Sequence, residues 1–265
     1  MTERFIYCYY SIVTMQEIGY HAEDCRKSPL NEFFDNVYCT NLDRRADRWE
    51  RMQRISHNLG LELQRVSGFD FWSLPESLGV VQQRTRYSVT ETHRNIIKDA
   101  LEKGYDSILV LEDDALFCEN FNHLVKGFFE EVPEDWEMFY LGYYAGSKFP
   151  WDQFKDSKIM RIPKNKTKHE GLWASHAYGI RKTIYQDILD QGNDSFTRVQ
   201  SGPDDSKDGA IDVTYYYKFH GYKKCYATNP PLILQTLKDT DIDAGGKNTK
   251  KLNIPANDKY KHLFY

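Results

Sequence analysis

Apolar positions along the chain fall into short alternating or continuous runs separated by stretches of helical spacing. Residues 34–40, Phe-Asp-Asn-Val-Tyr-Cys-Thr, read as a short strand, and Trp49, Met52, Ile55 and Leu59 then recur at helical spacing up to Gly60, which closes that helix. Leu61, Leu63 and Val66 among Glu62, Gln64 and Arg65 read as a half-buried strand, completing a β-α-β start and implying a parallel sheet. Ser88-Val89-Thr90-Glu91 has capping-box spacing and predicts the start of a second helix, with Ile96, Ile97, Ala100 and Leu101 on its buried face and Gly104 at its end. Ser107-Ile108-Leu109-Val110-Leu111 follows without alternation, as expected of a central strand covered on both faces.

Further on, Phe121, Leu124, Val125 and Phe128 mark a helix, residues 137–141 a strand, and the polar, lysine-rich stretch 155–168 a surface loop. Residues 173–180 read as a strand, 183–189 and 211–219 as helices, and 225–234 as a last strand broken by Pro230-Pro231. The pattern is that of an α/β domain with a mostly parallel central sheet flanked by helices. No repeat or linker divides the 265 residues, so a single domain is expected, with its core over about 33–237 and peripheral segments at 1–32 and 239–265.

Charge narrows the choice of partners. A formal net charge of −4 provides no field that would gather nucleic acid or anionic lipid. Five scattered cysteines, Cys8, Cys25, Cys39, Cys118 and Cys225, form no CxxC pair and suit a reducing compartment. No stretch reaches the ~20 apolar residues of a membrane span. The run from Phe5 to Met15 lacks a basic lead-in and a small-residue cleavage site and reads as part of the fold. Two glycosylation sequons, at Asn165 and Asn193, do not alter the expectation of a cytoplasmic protein.

The chemistry gathers at the end of the continuous apolar strand, where Glu112, Asp113 and Asp114 stand in a row. Three acids leaving a buried strand are costly unless a cation or hydrogen-bond donors compensate them. Ligands of open α/β sheets bind beyond the carboxyl ends of the strands, and hard oxygen ligands suit Mg²⁺ or Mn²⁺ with coordination positions left for substrate phosphates. A solvated acidic turn is the alternative. Thr40 and Asn41 end the first strand and are candidate contacts to a nucleotide base or ribose, and Arg44, Arg45 and Arg48 beyond them suit phosphate groups. His93 and His176 lie in apolar contexts, and the structural role is the expectation for His176. Tyr143-Tyr144 is a candidate sugar-stacking pair.

Asn41-Leu42-Asp43-Arg44-Arg45-Ala46-Asp47-Arg48-Trp49 resembles the opening segment of glycosyltransferase family 25. Thr92-His93, Leu111 to Asp114 with Ala115, Trp173 to Tyr178, Asp212 before an aromatic helix, and Asn229-Pro230-Pro231 follow in the family's order, so the resemblance runs from about Val37 to about Leu234. It implies a GT-A fold, a nucleotide-diphosphate sugar donor, a divalent metal (Mn²⁺ or Mg²⁺) at the acidic motif, a glycan or other hydroxyl acceptor, and inversion at the anomeric carbon. UDP-galactose is the donor it suggests first, with UDP-glucose next. It implies Asp114 as first metal ligand, with Glu112 second, and Glu112 and Asp113 supporting the ribose and the metal's hydration shell. Asp212, at the start of a predicted helix, is the candidate base for the acceptor hydroxyl, against the usual capping role of such an aspartate and against Asp204 and Asp205 upstream.

A fold kept without catalysis, as a carbohydrate-binding or scaffolding protein, is the main alternative. Phosphoryl transfer and nuclease chemistry lack a P-loop or basic groove pattern, dehydrogenase chemistry lacks GxGxxG, and serine hydrolysis lacks the elbow motif.

Overall fold

The computed structural model describes residues 27–76, 81–164, 168–191 and 210–236. The segment 5–15, Cys8 and Cys25, both sequons, Asp204 and Asp205, and the C-terminal tail lie outside the described residues.

A seven-stranded sheet runs in the order β2-β1-β3-β7-β5-β8-β6. Its strands are β1 (Asn36–Asn41), β2 (Gln64–Ser67), β3 (Ser107–Glu112), β5 (Met138–Ala145), β6 (Ile159–Arg161), β7 (Leu172–Arg181) and β8 (Cys225–Thr228). β1 pairs in parallel with β2 and β3, and β5 with β8, whereas β7 is antiparallel to both β3 and β5 and β6 is antiparallel to β8. Five of the seven strands therefore share one direction, in keeping with the mostly parallel sheet expected from the β-α-β start. Strands β4 (Ala115–Phe117) and β9 (Ile233–Gln235) form a separate antiparallel ribbon.

β3 shows why its apolar run is continuous. Ile108 and Val110 pack into one core with Ile96, Ile97 and Ala100 of the long helix, while Leu109 and Leu111 pack into the other with Met52, Phe121 and Val125. All four β3 residues have no exposed surface, so each contributes roughly 1.5–3 kcal/mol of burial. The helices α1 (Pro29–Phe33), α2 (Ala46–Leu59) and α4 (Phe121–Phe129) cover the second face. The first is covered by α3 (Val81–Lys103), α5 over 185–191 and α6 (Ile211–Lys218). α2 ends at Gly60, whose φ of 59° is the left-handed closure predicted for it.

Several boundaries differ from the sequence reading. Helix α3 already runs from Val81, so Ser88-Val89-Thr90-Glu91 is helix interior and not a capping box. The upstream residues Gln83 to Tyr87 carry no helix breaker, and propagation past Ser88 follows. Leu101, expected on the buried face, is 39% exposed because it sits a third of a turn past Ala100, beyond the apolar stripe. The 155–168 stretch is not all loop: Ile159–Arg161 pairs with β8, and Met160 and Ile162 are fully buried. The predicted 225–234 strand is two strands in different sheets, and β9 extends to Gln235.

Candidate functional site

β1 and β3 are parallel and in register, with Thr40 opposite Glu112, so their carboxyl ends open on the same side of the sheet. The antiparallel β7 brings its amino end there, and the β4–β9 ribbon brings Gln235. The resulting cleft is lined by Thr40, Asn41, Arg48, Glu112, Asp113, Asp114 and Gln235 on the sheet side. Gly68, Phe69 and Phe71 after β2, and Thr85, Ser88, Val89, Thr92 and His93 of α3, form the facing wall.

The three acids differ in their surroundings. Asp113 is fully engaged by the protein: Asn41 Nδ2 donates to its Oδ2 at 2.7 Å and Arg48 Nη1 to its Oδ1 at 2.9 Å. Arg51, one turn after Arg48 on α2, donates to the Asp113 main-chain carbonyl. Asp113 thus locks the acidic turn onto α2.

Glu112 Oε1 accepts from Ser175 Oγ at 2.7 Å and Oε2 from Gln235 Nε2 at 3.4 Å. Burial, followed by the nearby Asp114 charge, pushes its carboxyl up to about 8. Asp114 Oδ2 accepts from Gln235 Nε2 at 2.9 Å, while Oδ1 is buried with no hydrogen-bond partner. Burial raises Asp114 to about 6, with the Gln235 donor opposing the shift. A buried carboxylate oxygen without a donor is expensive, and this one lies in the wall of the cleft. A divalent ion held by one such carboxylate and completed by water and substrate phosphates fits this donor set. Among the described residues no group of three His, Cys, Asp or Glu side chains forms a ready-made metal cage.

The remaining candidates divide. Asn41 spends its amide within the protein, donating also to the Arg45 carbonyl at 3.0 Å and accepting from Arg65 Nε at 2.9 Å. Arg44 pairs with Asp70 at 2.7 Å and is not among the cleft-lining residues. Arg45 pairs with Asp47 at 2.8 Å. Asp212 also lies outside the lining, on the first turn of α6: Oδ1 accepts from Val213 N at 2.9 Å and Oδ2 from Ala174 N at 3.4 Å. Desolvation raises its pKa, and its charge is close enough to push up Glu112.

Ala174 itself has a φ of 86°, rare for a residue with a side chain, where the β5–β7 register shifts. That kink turns the Ala174 N–H toward Asp212 and the Ser175 hydroxyl toward Glu112. His176 is structural as expected, buried with Nε2 3.2 Å from the Ile233 carbonyl. Tyr143 is core, donating to the Thr228 carbonyl at 2.8 Å, whereas Tyr144 donates to Gln235 Oε1 at 3.1 Å and thereby orients that amide.

Residues 34–190 match the family model described as Glycosyltransferase family 25 (LPS biosynthesis protein). The chain belongs to glycosyltransferase family 25. Family 25 relatives include procollagen galactosyltransferase 1 of Danio rerio, 30% identical over 130 residues, which are 41% of this chain and 21% of that protein. Procollagen galactosyltransferase 2 of Mus musculus is 25% identical over 136 residues, 44% of this chain and 22% of that protein. The human inactive glycosyltransferase 25 family member 3 is 27% identical over 142 residues, 46% of this chain and 24% of that protein. The matched region thus spans less than a quarter of the length of these relatives. Among solved structures, a glycosyltransferase involved in the glycosylation of the major capsid of PBCV-1 aligns at a TM-score of 0.45 and 9% identity, over 86% of this chain and 97% of that one.

Four residues were missed by the sequence reading: Gln235 and Ser88, which line the cleft, and Ser175 and Arg51, which hold its acidic turn from behind. Arg51 alone carried a signal, standing one helical turn after Arg48 in the matched segment.

Proposed function

We propose that the chain is an active family 25 transferase that moves a hexose, galactose first and glucose second, from a UDP-sugar to a hydroxyl of a glycan or similar acceptor, with inversion. The observation that carries this reading is the buried, unpartnered Oδ1 of Asp114 at the mouth of the central strand in a member of this family. Asp114 would hold Mn²⁺ or Mg²⁺, with Glu112 as second ligand or as support for the ion's water shell. The ion, when bound, supplies positive charge to the diphosphate leaving group.

The chain's own residues do the rest. Asp113, tied down by Asn41 and Arg48, fixes the direction of the acidic turn. Thr40 and the α3 wall, where the buried Ser88 hydroxyl has no partner, face the nucleoside. Asp212, with its raised pKa, takes the acceptor proton on Oδ2, whose 3.4 Å contact from Ala174 is the weaker of its two. The cytoplasm remains the compartment this reading favours.

Thermal melts with UDP, UDP-galactose and UDP-glucose, each with and without Mn²⁺, test it. A shift that needs both nucleotide and metal, and that Asp114→Asn abolishes, supports the reading. No nucleotide-dependent shift in the folded parent protein would favour a binding protein that keeps the fold without catalysis, a state that the name of the human relative shows to exist in the family.

A further inference from the structure

A file of buried polar groups runs from α6 along one face of the sheet to the acidic cleft. Tyr215 Oη donates to Tyr178 Oη at 3.0 Å, Tyr178 Oη lies 2.8 Å from His93 Nδ1, and His93 Nε2 faces Glu112 Oε1 at 3.7 Å. Tyr215 and Tyr178 have no exposed surface and His93 has 1%. The His93 and Tyr178 rings lie almost parallel, 8° apart, with centroids 5.7 Å apart, so the imidazole has little freedom to rotate.

A phenol oxygen carries one proton, and this sets a direction. Tyr178 Oη already accepts from Tyr215, so its own proton goes to His93 Nδ1. An accepting Nδ1 leaves the hydrogen of a neutral imidazole on Nε2, the nitrogen that faces Glu112. A ring nitrogen that accepts from Tyr178 carries no proton, so the buried imidazole in this file is neutral.

We propose that His93 is a positioning residue: Tyr215 and Tyr178 fix it as the Nε2–H tautomer, and that N–H orients the Glu112 carboxyl group at the cleft. At 3.7 Å the contact is longer than a direct hydrogen bond, so the N–H acts as an oriented dipole alongside the Ser175 hydroxyl on the same oxygen. A neutral donor holds the Glu112 carboxyl group, protonated or ionised, without placing a second positive charge beside a cation site. The consequence for catalysis rests on the transferase reading above, whereas the tautomer is a property of the fold.

Nitrogen-15 NMR of histidine-labelled protein at neutral pH tests the tautomer, with the His93 resonances identified by their loss in His93→Gln. The expected spectrum has a protonated Nε2 and an unprotonated, hydrogen-bonded Nδ1. Tyr178→Phe is expected to give a tautomer mixture, and Tyr215→Phe, which frees Tyr178 Oη to accept from Nδ1–H, a smaller shift in the same direction. A protonated Nδ1 in the parent, or an unchanged tautomer in folded Tyr178→Phe, would overturn the proposal. In the activity arm Tyr178→Phe lowers kcat on the order of tenfold, the worth of one oriented hydrogen bond, with KM for the donor nearly unchanged. His93→Gln, which can still donate, retains more of kcat than His93→Leu. If the parent transfers no sugar, the function reading fails while the spectra still decide the tautomer.

Discussion

Gln235 Nε2 donates to Asp114 Oδ2 at 2.9 Å across 121 residues of sequence, and the same nitrogen lies 3.4 Å from Glu112 Oε2. One amide therefore bridges the two carboxylates whose pKa values burial raises most clearly at the cleft. The Thr236 N–H on the Asp114 carbonyl at 2.9 Å anchors the end of β9 to the same turn. Gln235→Ala removes the bridge and leaves the ribbon pairing in place. The Mn²⁺ concentration needed for a half-maximal nucleotide-dependent thermal shift is expected to rise about tenfold or more, as for other supports of a metal ligand. An unchanged metal titration would reduce Gln235 to a packing residue.

Glu112 predicts a pH dependence of stability. Its folded pKa, about 8, lies above the ordinary 4.5, so the folded state binds the extra proton between these values. The stability this contributes is fully present below the ordinary value and is lost as pH rises through about 8. The buried His176 and His220 have lowered pKa values of about 4 and about 3, and their opposite contribution is complete above their ordinary 6.5. Asp114, raised to about 6, has largely titrated by pH 7, and the raised Asp212 adds a slope of the same sign, so between roughly pH 7 and 8.5 the Glu112 share is the difference between parent and Glu112→Gln. Without divalent cation, unfolding free energy should fall there by up to about 1.4 kcal/mol per pH unit, and Glu112→Gln should flatten the slope. Equal slopes in parent and variant would remove Glu112 as the source.

Much of the frame was legible because burial writes itself into residue choice. The continuous run of β3 announced a strand covered on both faces, and Gly60 announced the left-handed end of α2. The acidic turn was legible for the same reason, since charge directly after an apolar strand needs an explanation. The antiparallel insertion of β7 was not, because residues 172–181 carry the same apolar signature in either direction. Nor was the β4–β9 ribbon: three-residue strands have too few positions for a period, and Pro230-Pro231 marks a change of sheet that reads as a simple break. Gln235 and Ser175 enter the site through that long-range pairing and the Ala174 kink, neither of which leaves a local pattern. Asn41 and Asp113 stood out in the sequence as candidates, yet their hydrogen bond to each other spans 72 residues and leaves no local pattern.

Gly142 tests whether the ribbon's seat against the main sheet controls the site. A Cβ at this position of β5 would collide with the His176 imidazole and the Ile233 carbonyl. A backbone oxygen cannot swing away as a side-chain tip does, so Gly142→Ala must displace β9 or β5. The expected result is a loss of about 1–3 kcal/mol of stability together with weaker metal-dependent nucleotide binding, because Gln235 follows Ile233 by two residues. Stability lost with binding intact would show that the ribbon tolerates displacement without moving its amide.

Arg44 and Arg48 of the matched segment separate by burial. Arg48 and Asp113 have side chains only 12% and 10% exposed, whereas Arg44 and Asp70 are 36% and 29% exposed. Removing Arg48 withdraws the guanidinium from Asp113 Oδ1 in a site poorly reached by water, which costs about 3 kcal/mol when one partner of a buried pair is lost. Removing Arg44 dissolves a pair that solvent and salt already screen, worth below about 1 kcal/mol. Urea unfolding of Arg48→Ala and Arg44→Ala, at low salt and in about 0.5 M NaCl where screening extends only a few ångströms, should show a large salt-insensitive loss for the first and a small, salt-suppressed one for the second. If the two losses are equal, Asp113 is held by Asn41 and the Arg51 contact to its main chain, and Arg48 is left with the cleft, where its charge would serve the ligand and not the fold.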